Sequence, residues 1–335
     1  MGTPKISVII PMYNAEKFIR QCLISVLASK FKDYEVVLVD DCSTDNSVVE
    51  AEKFLPHFDG RLKIIFTEKN SGNAATPRNI AIKNSAGKYI TFVDADDMIL
   101  PTALGDFFQT AEEFQADVVH TEKFLEFRDT GGNKFNWEEL TLQKYEAGEG
   151  VEEPTLEPEL NERIKRYAEG KFLWVPWGKF FRRDLIINNQ IDFPQMKTSS
   201  DMVFNFKCVC LAKNYLRVPF VTNIYRVLKN STSHRFMDSE AGVKFWLGVV
   251  TTGAAIVDEF MNGLDFFRAN PDCRRDVLKF FIDKHFGMIK NLFQDVPIHE
   301  VQKIFYDELQ NPELNPSGKN LIAAYLYTER AINQT

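Results

Sequence analysis

Along the first hundred residues, short apolar runs alternate with segments whose apolar positions recur at helical spacing. "ISVII" (Ile6 to Ile10) and "EVVLVD" (Glu35 to Asp40) are β-branched runs bounded by turn formers, the pattern of strands covered on both faces. Between them Ala15, Phe18, Ile19, Cys22, Val26 and Leu27 mark one face of a helix, with Asn14 as its expected cap and Glu16 at its positive end. Asp45 is the expected cap of a second helix, "NSVVEAEKFL", and "LKIIF" (Leu62 to Phe66) predicts a third strand. In "ATPRNIAIKNSAGK", Thr76 is expected to cap a helix, Pro77 to take its first position and Gly87 to stop it. "KYITFVD" predicts a fourth strand. Strand, helix and strand repeated in this way predict a parallel sheet with right-handed crossovers, which binds ligands beyond the carboxyl ends of its strands.

Polar residues gather at those ends. Pro11, Tyr13 and Asn14 follow the first strand, Asp40, Asp41, Ser43 and Asp45 the second, Asn70, Ser71 and Gly72 the third, and Asp94, Asp96 and Asp97 the fourth. Side chains two apart on an extended chain point the same way, so Asp94 and Asp96 can face one cleft while Ala95 points elsewhere. Carboxylates this close either lie in water or face a cation, and hard oxygen donors suit Mg2+ or Mn2+. The Tyr13 ring can lie against a uracil face, and the Asp41 carboxylate can accept the uracil imide N–H. Gly72 permits close backbone approach, and Arg78 in the first turn of a helix suits a diphosphate. Against these stand blander readings: a packed tyrosine in a capping turn, a salt-bridged arginine and a solvated acidic loop.

Beyond residue 128 the pattern changes. Residues 128–160 carry Glu138, Glu139, Glu146, Glu149, Glu152, Glu153, Glu157 and Glu159 among glycines and prolines, which reads as a mobile or peripheral insertion. "KFLWVPWGKFF" offers Trp174 and Trp177 as aromatic faces for a sugar, Trp177 being the better candidate, although much of the run suits a core. From Asp238 onward the spacing of Phe245, Val249, Ile256 and Phe260, then of Val277, Phe280, Phe281, Met288 and Leu292, is helical. The expected organisation is a domain over 1–237, with a nucleotide half (1–127), the acidic insertion (128–160) and an acceptor half (161–237), followed by a helical region over 238–335.

Composition narrows the partners. The 335 residues include 40 basic and 47 acidic side chains, a net charge of −7, which weighs against a general nucleic-acid binder. Five cysteines form no CxxC pair and read as reduced thiols of a cytosolic protein. No signal peptide is evident, and no apolar run approaches the ~20 residues that span a bilayer.

Several ordered motifs, "SVIIPMYN", "VVLVDDCSTD", "NSGNAATPRN", "FVDADD", "WGKFFRRDLI", "SSDMVFNF" and "IYRVLKNSTSH", are similar to those of the inverting glycosyltransferases of family 2 over about residues 5–235. The resemblance implies an α/β GT-A fold, Rossmann-like, with a mainly parallel central sheet flanked by helices and a helical C-terminal appendage. It implies a UDP-sugar donor, a glycan or lipid-linked saccharide acceptor and a divalent cation, Mn2+ or Mg2+. Pro11, Tyr13, Asn14, Asp41, Asn70, Arg78, Asp94 and Ala95 would hold the nucleotide-sugar, with Asn79 beside it, and Asp96 would ligate the metal directly. Asp201 would be the general base, His234 a further metal or diphosphate contact with Arg226 a weaker candidate, and Trp177 an acceptor contact. Two departures stand out: Pro77 replaces a small residue, and Ser200 replaces the glutamate that usually precedes the base. The cysteines and the N-terminus together give a cytoplasmic protein as the expectation, and acceptor gripping, self-association and contact with the inner face of the membrane stay open as roles for the C-terminal helices. The competing readings are a catalytically silent carbohydrate-binding relative and a sugar-phosphate nucleotidyltransferase; the latter lacks its glycine-rich loop here.

Overall fold

The computed structural model describes residues 2–128, 140–145, 150–228, 239–291 and 296–332. The chain opens with β1 (Ile6–Met12), α1 (Ile19–Leu27), β2 (Tyr34–Asp40), α2 (Ser47–Glu52), β3 (Leu62–Phe66), α3 (Ala75–Lys83) and β4 (Tyr89–Phe92). It continues through β5 (Met98–Ile99), α4 (Ala103–Glu113), β6 (Val118–Thr121), β7 (Lys123–Arg128), β8 (Thr141–Lys144) and β9 (Thr155–Leu156). Then come α5 (Leu160–Ala168), β10 (Lys179–Arg182), α6 (Arg183–Asn188), α7 (Ser200–Leu211), β11 (Tyr215–Val218) and β12 (Asn223–Val227). The remaining elements are α8 (Ser239–Asn262), α9 (Asp265–Ala269), α10 (Pro271–Asn291), α11 (Ile298–Leu309) and α12 (Pro316–Ile332).

The main sheet has the order β3-β2-β1-β4-β10-β6-β11-β9, and a smaller sheet has the order β5-β12-β7-β8. β3, β2, β1 and β4 run parallel, as the alternating pattern predicts, and β10 enters antiparallel between β4 and β6. Successive residues of β1 face opposite layers. Val8 and Ile10 pack with Ile19 and Val26 of α1, whereas Ile9 packs with Phe92, Phe193 and Phe204 on the other side. Both faces of the sheet are therefore dry, which explains why its strands read as unbroken apolar runs.

Three local expectations fail for identifiable reasons. Asn14 does not cap α1; it lies at φ 48° and its Oδ1 accepts the Thr44 N–H at 2.8 Å, tying two loops at the sheet edge. α3 begins at Ala75, one residue before Thr76, because the Asn73 side chain accepts the Ala75 N–H at 2.9 Å. Gly87 does not end that helix, which stops at Lys83; a Cβ on Gly87 would lie 2.5 Å from the Ser7 backbone nitrogen, so glycine lets the chain pass close to β1. Asp45, by contrast, accepts the Ser47 N–H at 3.0 Å where α2 starts.

Described parts of the acidic insertion join the sheets rather than standing apart. β8 pairs with β7, and β9 pairs with β11 at the edge. The "DTGGNKF" turn lies outside the described residues.

The C-terminal helices are not a detachable appendage. Val243, Leu247, Val250, Phe281 and Ile282 share one continuous core with Ile9, Phe92 and Phe204 of the sheet layer. α8 is 24 residues long and apolar enough to cross a bilayer, contrary to the reading that no stretch approaches that length. Its Val243, Leu247, Val250, Ala254, Val257 and Met261 recur at helical spacing and are buried, so its stripe is spent on protein packing. α12 approaches so closely that a Cβ on Gly318 would collide with the Thr251 backbone carbonyl of α8. A chain ending at residue 237 is therefore expected to expose this core and to lose cooperative unfolding, instead of retaining a folded nucleotide-binding half. Thermal melting and light scattering of that truncation check the outcome; a sharp transition with a monodisperse product would contradict it.

Candidate active site

The carboxyl ends of β1, β2, β3 and β4 bring the expected residues to one edge. Pro11 is buried within β1, opposite Val39, and the exposed Tyr13 follows it with 51% of its surface open. Tyr13 thus presents a free ring at the mouth.

Asp41 faces inward. Its Oδ2 accepts the Ser71 N–H at 2.9 Å and the Ser71 hydroxyl at 2.8 Å, and its Oδ1 accepts the Thr67 hydroxyl at 3.0 Å. Asn70 donates to the Asp41 carbonyl at 2.9 Å. Three protein donors thus engage the Asp41 carboxylate, which shapes the 67–72 loop and keeps one acceptor position of about four. Asp40 similarly holds Ser43, through its N–H at 3.0 Å and its hydroxyl at 2.5 Å.

Arg78 also differs from its expectation. Its side chain is 8% exposed and donates from Nη2 to Asp94 Oδ1 at 2.7 Å, with Asp94 at 32% exposure. The guanidinium further rests on the Phe193 ring at 5.3 Å. It is a buried brace for the carboxylate, not an open diphosphate claw. Asn79 likewise points into the fold, donating to the Phe193 carbonyl at 2.8 Å and accepting its N–H at 2.9 Å.

The 94–97 turn is held from two sides. Asp97 closes it by donating its N–H to the Asp94 carbonyl at 2.9 Å, while its buried carboxylate accepts the Arg226 N–H at 2.8 Å. Arg226 returns Nε to the Asp96 carbonyl at 2.9 Å, bonds Gln21 and lies over Phe18 and Phe127. Arg226 therefore fixes the backbone of the acidic turn. Burial pushes the Asp96 carboxyl up to about 6, with the Asp94 charge adding to the shift. Burial also raises Asp97 well above the usual carboxylate range, and the charges of Asp96 and Asp94 raise it further. Ala95 is buried, its side chain turned from the cleft into the core on the α1 side.

Among the described residues, no three His, Cys, Asp or Glu side chains converge as a preformed metal cage. Asp94 and Asp96 are hard oxygen donors whose mutual repulsion, only partly offset by Arg78 and Arg226, a divalent cation would relieve further. The two carboxylates fit an ion whose remaining positions come from substrate and water. His234 lies outside the described residues.

Asp201 sits in the first turn of α7, half-buried, and its Oδ1 accepts the Met202 N–H at 3.1 Å. Burial raises its carboxyl above the ordinary carboxylate value, Arg78 opposes that rise, and the Asp94 charge adds to it. Arg78 thus acts on the carboxylates of both halves of the site. Asn205, one turn along α7, donates to the Asp201 carbonyl at 2.9 Å and to the Trp174 carbonyl at 2.7 Å.

Trp177 is 5% exposed, stacked on Tyr225 at 5.7 Å and edge-on to Phe124 at 5.2 Å. It belongs to packing against the smaller sheet and cannot offer a face to an acceptor; Trp174, half-buried, lies at the surface instead. Sequence reasoning also missed Lys179, whose buried Nζ donates to the Leu173 and Val175 carbonyls at 2.5 Å each and pins the intervening loop. Burial lowers that amine to about 7. A lysine inside the aromatic run was its only signal.

The eight-stranded sheet with its parallel half, the smaller sheet beside it and the packed C-terminal helices are those of a glycosyltransferase with the GT-A fold. Residues 7–185 match the family described as Glycosyl transferase family 2, and the chain belongs to that family. Among its relatives, EpsH of Bacillus subtilis, described as a glycosyltransferase, is 30% identical over 81% of this chain and 74% of its own length. The poly(ribitol-phosphate) beta-N-acetylglucosaminyltransferase TarS of Staphylococcus aureus is 30% identical over 84% of this chain but only 44% of its own length. The crystal structure of S. aureus TarS 1-349 in complex with UDP-GlcNAc superposes with a TM-score of 0.66 and 26% identity, covering 91% of this chain and 79% of that one.

Proposed function

We propose that the protein transfers a hexosyl or N-acetylhexosaminyl unit from a UDP-sugar to a hydroxyl of a glycan or lipid-linked acceptor, with inversion and with Asp201 as general base. The observation that carries this reading is the placement of Asp201, half-buried, with its pKa raised, and within the electrostatic reach of the Arg78–Asp94 pair at the donor edge. A base must lie within hydrogen-bond reach of the nucleophile, and a carboxyl whose pKa is raised holds the accepted proton better. A UDP-GlcNAc complex and a UDP complex of TarS support the donor class, and relatives named beta-N-acetylglucosaminyl- and beta-glucosyltransferases support the sugar class and the stereochemical outcome.

In this reading Tyr13 stacks on the uracil, Asn14 and the 67–72 loop shaped by Asp41 and Asn70 line its edge, and Arg78 orients Asp94 towards the sugar-nucleotide. Asp96 and Asp94 would hold Mn2+ or Mg2+, and a bound divalent ion supplies Lewis-acid stabilisation of the departing diphosphate. Asp201 takes the proton of the acceptor hydroxyl as that oxygen forms its bond to the anomeric carbon. Inversion follows from displacement on the face opposite the leaving UDP.

A screen of UDP-sugars for UDP release, with and without Mn2+, tests the proposal. Release from at least one UDP-hexose or UDP-N-acetylhexosamine, strengthened by metal, is expected. Uniform silence from a folded sample that also fails to bind UDP would refute it.

A further inference from the structure

We infer that Lys284 and Trp174 form an anion-binding subsite for the acceptor beside Asp201, so that the preferred acceptor carries a negatively charged group close to the hydroxyl that is glycosylated. The inference rests on reading Asp201 as the base. It names the chemistry of a substrate that the reading above leaves open.

Lys284 projects from α10, in the C-terminal region that sequence reasoning kept apart from the chemistry. Its Nζ lies 4.9 Å from the centroid of the Trp174 ring. Among the described residues, no hydrogen bond or ion pair engages this half-buried ammonium. Lysines removed from water are normally paired, and a cation resting on a ring face keeps N–H donors for a further partner. Burial lowers the Lys284 amine, and the Asp201 charge opposes that drop. Among the described residues no ion pair joins Lys284 to Asp201, and the turn that presents Asp201 is bonded to His285, the neighbour of Lys284.

The two groups are mechanically linked. Asn205 bonds both the Trp174 and the Asp201 carbonyls, at 2.7 Å and 2.9 Å, so the aromatic platform and the base share one anchor. Next to Lys284, His285 places Nε2 3.0 Å from the Ser199 hydroxyl and Nδ1 2.7 Å from the Phe281 carbonyl. Ser199 sits at φ 63° immediately before α7, so His285 locks α10 onto the turn that presents Asp201.

Lys284 also lines a cavity of about 770 Å3 between α5 and α10, together with Lys165 and Lys279 and the carboxylates Glu169, Asp272, Asp276 and Asp283. That acidity disfavours a continuous run of anions along the groove.

The test uses the full chain and three probes: a short glycerol phosphate oligomer, an oligogalacturonate and a neutral oligosaccharide of equal length. Calorimetry is run with UDP present, and UDP alone is titrated separately. At least one anionic probe should bind more tightly than the neutral one, and which of them binds tells a phosphodiester from a carboxylate. Lys284→Gln should weaken that binding by about 10–100-fold, the range of a charge-assisted hydrogen bond, while UDP affinity is unchanged and Lys284→Arg restores most of it. Equal binding of neutral and anionic probes, binding of none, or a Lys284→Gln variant that keeps full anion affinity would overturn the subsite. Absent UDP binding with intact Lys284-dependent anion binding would sink the donor reading alone.

Discussion

Asp201→Asn is expected to lower sugar transfer by about 10²–10⁴, the usual cost of losing a positioned general base, while UDP affinity stays near that of the unmodified enzyme. Asparagine keeps the shape of the side chain and an oxygen for the Met202 N–H, which Asp201 accepts at 3.1 Å, so the start of α7 should survive. It cannot take up a proton. The same residue sets a pH signature. Burial raises the Asp201 carboxyl above its ordinary value of 3.8, so the base is lost as pH falls through a pKa higher than that value. Turnover should decline on the acid side while UDP binding at the other end of the site does not follow the same curve. Rates measured across pH for both forms decide the matter. Near-normal transfer by Asp201→Asn would leave Asp201 as a helix-start residue only.

Asp96→Ala should remove most metal-dependent UDP binding. Losing even an outer partner of a metal ligand typically costs 10–100-fold in affinity, and a direct ligand from a set of two carboxylates should cost at least that much. The fold should not suffer. The Asp96 carboxyl is raised to about 6, so the folded state keeps a proton that the unfolded chain releases near 3.8, and the ionised group costs stability as pH rises through that window. At neutral pH the alanine variant is therefore expected to melt at the same temperature or slightly higher. Titration with UDP in the presence and absence of Mn2+, beside a melting curve, separates the two effects. Unchanged metal-dependent affinity would remove Asp96 from the metal site.

Much of the parallel sheet and its polar edge is legible without coordinates because its information is local. β-branched runs such as "ISVII" and "EVVLVD" form parallel strands, turn formers sit at their ends, and consecutive strand ends must share one edge, so Tyr13, Asp41, Asp94 and Asp96 converge from sequence order alone. The directions of those side chains are less legible. Asp41 and Arg78 lie at the expected edge, yet both are engaged by protein partners, Ser71 and Thr67 for one and Asp94 for the other. A carboxylate or guanidinium near a sheet edge has the same sequence signature whether it faces a ligand or a loop.

Periodicity and turn chemistry are properties of neighbouring residues, so the parallel sheet, the acidic turn after β4 and the helical character of the C-terminal third follow from local pattern. That Trp177 is buried against Tyr225 while Trp174 meets Lys284 is settled by packing in three dimensions, since the two tryptophans stand in nearly identical aromatic contexts. The same packing joins the C-terminal helices to the catalytic core, through Phe281 packed with the sheet layer and His285 bonded to Ser199, 86 positions away in the chain. An apolar helical stripe announces that it will be covered. What covers it depends on long-range packing, which no local pattern encodes.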